Sequence, residues 1–226
     1  MGKESVRGLS KGTLRGQIRA YIQRQIASGR YRAGDRVVET QLAKELNVSQ
    51  APVREAILEL SAMGLLEERP YSGSFVRRLT PEDIEDIYNT RAFLDQYAAE
   101  KAARRITERE LEGLARLLRE MDEAEDIAVF VEKDIAFHAA VVDAAGSPAL
   151  KRMWEGLRLV EWTGLSASAT RNTLPELAEQ HRQIYELLRQ HDDHTVGAYV
   201  FLHIKNFGEE LKRHLREKEA AENAEA

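Results

Sequence analysis

Apolar residues recur at helical spacing along most of this chain, and the places where the rhythm stops divide it in two. Leu14, Ile18, Tyr21, Ile22 and Ile26 share one helical face, opened by Thr13 and closed near Gly29, after which RYRAGDR reads as a turn. A short helix over about 39–46 follows, then a tight turn at Asn47-Val48. Ser49 is placed to cap a third helix, Pro52 is tolerated in its first turn, and Val53, Ile57, Leu60 and Met63 face inward until Gly64 ends it. There the period changes from helix to strand: Leu65–Arg69 and Ser74–Arg78 flank the turn PYSG and predict a β-hairpin.

At Thr80-Pro81-Glu82-Asp83 an N-cap, a proline at the first helical position and two first-turn acids mark a new helix, and the domain boundary falls there. Further helices are predicted at about 81–104, 107–123, 126–145, 148–169, 174–190 and 193–218, with Thr107 and Glu110 as a capping box and Gly146-Ser147-Pro148 as a stop and start. The expected architecture is mainly α. A flexible arm over 1–12 precedes a winged helix-turn-helix domain with a small β-hairpin wing over 13–79; an all-α bundle of six to seven helices occupies 80–215, and LREKEAAENAEA, lacking a core face, leaves 216–226 as a disordered tail.

Four polar residues interrupt the apolar stripes of the second region. Asp134 and His138 lie on the face Ile127, Val131, Asp134, His138, Val141, Ala145; His181 lies among Leu177, Ile184 and Leu188; His203 lies among Val196, Val200, Phe207 and Leu211. Burying such a group without a partner costs about 1–3 kcal/mol, so each needs one. If the three seams face a common centre, one carboxylate and three imidazoles converge in a set suited to zinc, with nickel or manganese as alternatives. The other reading is a wet core in which the four bond to one another. His191, His194 and His214 fall near helix ends or off the stripes and are expected to be exposed. Arg91, on the stripe Ile84, Ile87, Arg91, Leu94, Ala98, either pairs with Asp95 one turn on or holds a ligand carboxylate bidentately beside the ion.

Composition narrows the function. The absence of cysteine removes disulfides, thiolate nucleophiles and sulfur-ligated zinc, and no apolar run approaches the ~20 residues of a membrane span. With no apolar export segment at the N-terminus, a cytoplasmic location without membrane attachment is expected. The net charge of -5 conceals an asymmetry: residues 1–79 carry 14 Lys and Arg against 8 Asp and Glu, whereas the rest carry 19 against 30. A basic head on an acidic body suits a nucleic-acid-binding module joined to a domain with another task.

In a winged helix-turn-helix the third helix enters the major groove. Ser49, Gln50 and Arg54 project from the side of that helix opposite its apolar stripe and offer a hydroxyl, a base-reading amide and a guanidinium; Thr40 and Gln41 stand ready for the backbone, and Ser72-Gly73 forms a tip small enough for a minor groove, with Arg69, Arg77 and Arg78 nearby. The stretch VETQLAKELNVSQAPVREAILELSAMGLLE followed by GSFV closely resembles the DNA-binding domain of the GntR family of bacterial transcriptional regulators over residues 13–78. That resemblance implies binding of a palindromic operator by a homodimer, with Thr40, Ser49, Gln50, Arg54 and Gly73 at positions that touch DNA in the family. Gln50 departs from the arginine usual there.

RAFLD, DIAFHAAVVDAAGSPAL, EQHRQIYELL and FLHIKNF resemble, in order, the helical FCD ligand-binding domain of one GntR subgroup over about 84–212, with Asp95 in place of a usual glutamate and Ser147 in place of a usual asparagine. The resemblance implies Asp134, His138, His181 and His203 as metal ligands, Arg91 as an effector contact and a small organic acid as effector. A repressor controlled by that acid is the leading expectation. A metal-dependent enzyme fused to a DNA-binding domain is the competing one, but no nucleophile elbow, HExxH motif or second placed carboxylate supports it.

Overall fold

A computed structural model describes residues 13–157 and 172–225. The chain forms two compact units, with the second beginning at Thr80.

In the first unit α1 (Leu14–Ala27) starts where the Thr13 hydroxyl accepts a bond from the Gly16 amide, and it buries Ile18, Tyr21, Ile22 and Ile26 as its spacing requires. α2 (Glu39–Leu46) ends at Asn47 in the left-handed region, a conformation that asparagine tolerates, and α3 (Gln50–Ala62) turns Val53, Ala56, Ile57 and Leu60 into the core. Met63 is only half-buried, and Ala56 fills the face in its stead.

The segment expected to be only a turn contributes a strand. β1 (Arg36–Val37) pairs antiparallel with β3 (Gly73–Val76), which also pairs with β2 (Leu66–Arg69), so the order is β1-β3-β2. The pairing is held by Gly34 and Val76, whose amides donate to Val76 and Asp35 carbonyls at 2.8 Å. A third strand covers an edge the hairpin would otherwise leave open.

The second unit is helical throughout its described length. α4 (Pro81–Ala103), α5 (Glu108–Asp122) and α8 (Leu174–Arg189) each open on a reciprocal capping box, Thr80/Asp83, Thr107/Glu110 and Thr173/Glu176, while Asp126 and Ser147 cap α6 (Ile127–Ala144) and α7 (Pro148–Gly156). The expected continuation of α7 to 169 lies outside the described residues. α4 packs along α9 (Asp193–Glu225), α6 and α7; α5 packs on α6 and α8; α8 also meets α4 and α9. Phe130, Phe137, Leu114, Met121 and Trp154 fill the interior.

α9 corrects the expected tail, since it continues as helix to Glu225. Its last core contact is Leu215, and beyond it the residues are mostly Ala, Glu, Lys and Arg, which add turns to an existing helix without a new nucleation step. Arg216 also pairs with Glu82 at 3.3 Å.

Candidate metal centre and nucleic-acid face

α6 presents Asp134 and His138 one turn apart, α8 brings His181, and α9 brings His203. One potential ligand atom from each lies within 4.8 Å of the others. His138 and His181 are buried, His203 is half-buried, and the Asp134 carboxylate keeps 31% exposure. The ring centroids of the three histidines stand 5.0–5.4 Å apart, and Phe137 closes one side with its ring edge-on to His138 and His181.

The outer nitrogens decide what the inner ones offer. His181 Nδ1 lies 2.8 Å from the Leu177 carbonyl, which only accepts, so Nδ1 carries a proton and Nε2 is the nitrogen left to face inward. His203 Nδ1 donates in the same way to Gln180 Oε1 at 2.9 Å, and His138 Nδ1 faces the Asp95 carboxylate at 3.6 Å. On the inner side, His138 Nε2 lies 4.0 Å from Asp134 Oδ1. His181 Nε2 sits 2.8 Å from Asp134 Oδ1, yet it is shielded from water and has no partner with hydrogen-bond geometry. Contact at that distance calls for a proton or a metal ion shared by the nitrogen and the carboxylate oxygen, and with two further imidazoles beside it the four residues fit a divalent ion in an N3O set.

The titration behaviour agrees with that fit. Desolvation pushes the His138 imidazole well below its usual range, with the neighbouring histidines and Arg91 adding to the effect and Asp134 opposing it. Desolvation, then His181, likewise drives His203 down to about 3. Desolvation acts in the opposite sense on Asp134, but its contact with His181, with the His138 and His203 rings adding to it, outweighs that and holds the carboxyl well below the usual carboxylate range. The site thus holds a carboxylate ionised and two imidazoles neutral, the protonation states a metal requires.

Asp95, which sequence reasoning treated only as a partner for Arg91, is part of this centre. It is buried, accepts a bond from Trp154 Nε1 at 2.9 Å and places its other oxygen 3.6 Å from His138 Nδ1. Arg91 is buried too, with Nε 3.5 Å from Asp95 and its guanidinium beside the rings of Tyr88 and Trp154. The i,i+4 pair is therefore present, and the Arg91 charge also bears on His138 and His203. Gln180 was also missed, because nothing in its spacing sets it apart. Of the other histidines, His191 and His194 are exposed as expected, whereas His214 is half-buried on α9.

On the first unit, Thr40, Gln41, Ser49, Gln50, Arg54, Ser72 and Gly73 are all exposed. Thr40, Gln50 and Arg54 line one side of a groove whose other side is the hairpin at Arg69 and Gly73; Gln41, Ser49 and Ser72 lie outside it. The Ser49 side chain makes no capping bond to α3. Arg54 is forked onto Glu39, with Nε and Nη2 donating at 3.0 and 2.9 Å, a brace that aims the guanidinium and that the sequence did not reveal. Gly73 has φ +101°, and a Cβ there would meet the Arg36 guanidinium at 3.2 Å, so the tip takes no side chain at that point.

Comparison with known proteins accounts for both parts. The profile of bacterial regulatory proteins of the gntR family matches residues 14–76, and that of the FCD domain matches residues 86–206. A probable D-xylose utilization operon transcriptional repressor of Paenarthrobacter nicotinovorans is 35% identical over 85% of this chain and 89% of its own length. The Nta operon transcriptional regulator of Aminobacter aminovorans is 30% identical over 82% and 89%. Among solved structures, E. coli McbR/YncC superposes with a TM-score of 0.74 at 23% identity, covering 92% of this chain and 99% of that one, a likeness of fold. No helix among the described residues is long and apolar enough to cross a membrane. The enzyme alternative gains nothing from these relatives, and the chain belongs to the GntR family of bacterial transcriptional regulators, with an FCD domain behind its DNA-binding module.

Proposed function

We propose that this regulator is a cytoplasmic repressor whose operator affinity is set by a small carboxylate bound beside a divalent metal ion in the FCD domain. The observation that carries this reading is the convergence of Asp134, His138, His181 and His203 from three helices, with one potential ligand atom of each within 4.8 Å of the others. Asp134, His138, His181 and His203 would hold the ion, with zinc the best match to three nitrogens and one oxygen, and nickel or manganese next. When bound, the ion supplies a Lewis-acidic centre that attracts an anionic oxygen. Arg91, held by Asp95 between Tyr88 and Trp154, offers the second anchor, a guanidinium for the same carboxylate.

At the DNA, Gln50 and Arg54 read base edges from α3, while Thr40, Gln41, Ser49 and the Ser72-Gly73 tip position the backbone. A homodimer sets two such helices about one DNA turn, ~34 Å, apart on a palindrome. In support of self-association, α4 and α9 leave Phe93, Tyr97 and Leu202 more than half exposed, with the Phe93 ring 5.1 Å from Phe201. The effector acts to the extent that it binds two arrangements of the protein with different affinity.

Electrophoretic shift of DNA upstream of the chain's own gene, titrated with small carboxylates, tests the reading. One acid is expected to change the apparent affinity of the metal-loaded protein and to lose its effect in Arg91→Ala. Acids that leave the shift unchanged, across sugar acids and central-metabolism carboxylates, would refute carboxylate control.

A further inference from the structure

The hairpin of the first unit carries an aromatic residue that its fold does not use. The Arg69 carbonyl accepts from the Ser72 amide at 3.0 Å, closing a turn with Pro70 second and Tyr71 third. Proline presets its position, but Tyr71 takes φ +60°, a place that normally falls to glycine or asparagine because a Cβ is strained there. A large ring in that position is disfavoured by the backbone, and the core offers no compensation: Tyr71 is 110% exposed. Two residues on, Gly73 shows that the same tip accommodates glycine where close approach demands it.

Tyr71 also lines the groove shared by Thr40, Gln50, Arg54 and Arg69. A strained, fully exposed tyrosine on the rim of a DNA-facing groove combines an apolar ring with a hydrogen-bond donor. We propose that Tyr71 is a DNA contact of the wing tip, its ring packing on a deoxyribose at the minor groove and its hydroxyl donating to a phosphate oxygen. The contact is neutral and touches only the backbone. It therefore adds affinity without reading sequence and without releasing a counterion.

The inference rests on duplex binding by the first unit and is tested separately from it. Full-length wild type, Tyr71→Phe, Tyr71→Gly and Arg54→Ala are titrated by fluorescence anisotropy on a duplex from upstream of the chain's own gene and on a mixed-sequence duplex at low salt. Tyr71→Phe is expected to weaken binding to both about three- to tenfold. Tyr71→Gly is expected to weaken it further while its thermal midpoint holds or rises, because glycine relieves the backbone. Neither changes the salt slope or the preference for one duplex over the other, whereas Arg54→Ala, which removes a base-edge contact, relaxes the preference for the upstream duplex. Tyr71→Gly binding both duplexes like wild type would overturn the proposal, as would weakened binding accompanied by a fallen midpoint, which would make the residue structural. Tyr71→Phe equal to wild type would overturn the phosphate bond. An Arg54→Ala variant that binds like wild type would instead remove the recognition face itself.

Discussion

Gly208→Ala sets two known effects against each other, and the geometry decides between them. In a helix interior, replacing glycine by alanine stabilises by about 0.8–1.0 kcal/mol. At Gly208, however, α9 crosses α4 so closely that an added Cβ would lie 2.4 Å from the Cβ of Tyr88 and 2.7 Å from its Cγ. Ordinary contact begins near 3.4 Å, so the helices must separate by about 1 Å. The Tyr88 Cβ is fixed to its backbone and cannot swing aside. Overpacking of this kind costs about 1–3 kcal/mol, and a backbone-fixed obstacle belongs at the upper end. The net expectation is a loss of about 1–2 kcal/mol, or a thermal midpoint lower by roughly 2–8 °C for a chain of this size. Gly113, inside α5, is the matched control: a Cβ there meets nothing within 4 Å, so Gly113→Ala should gain up to about 1 kcal/mol. Urea unfolding of both chelated variants, followed by circular dichroism, reads the two signs. A Gly208→Ala protein as stable as Gly113→Ala would refute the close packing of α4 on α9, the contact that sets His203 against the ligands from α6 and α8.

Two further outcomes follow from the centre. Asp95→Asn keeps an acceptor for Trp154 but removes the negative charge 3.6 Å from His138 Nδ1, and should lower metal affinity about 10–100-fold in competition with a chromophoric chelator; unchanged affinity would remove Asp95 from the site. In the metal-free protein, desolvation lowers the folded-state pKa of His138 and takes His203 from 6.5 to about 3, so below about pH 6.5 the unfolded chain takes up protons that the native site refuses. Stability is then full above the unfolded value and declines as pH falls toward the folded one. The urea midpoint of the chelated protein should be lower at pH 5 than at pH 7, with a flatter dependence in His203→Gln; an equal slope in that variant would contradict the assignment.

How much of this could be read from the residues depended on the range of the interactions involved. Thr80, Thr107 and Gly146-Ser147-Pro148 mark helix ends through bonds made within three or four residues, and the helices begin where those signals stand. Asp134, His138, His181 and His203 were legible because a polar residue inside an apolar stripe must find a partner. β1 was not, since two residues cannot display an alternation and its partners lie far along the chain. Asp95 was hidden for a related reason: pairing with Arg91 one turn away satisfied local logic, while the bond from Trp154 spans 59 residues. The helix to Glu225 escaped because periodicity reports a buried face, and this stretch needs none to extend a helix already formed.

The metal centre is the claim on which most of this depends. Elemental analysis of protein purified without chelator, alongside His138→Ala and His181→Ala, tests it most directly. About one divalent ion per chain is predicted for the wild type and little in either variant. Wild type with no bound ion after growth with zinc, nickel and manganese supplied, or variants that keep it, would contradict the account.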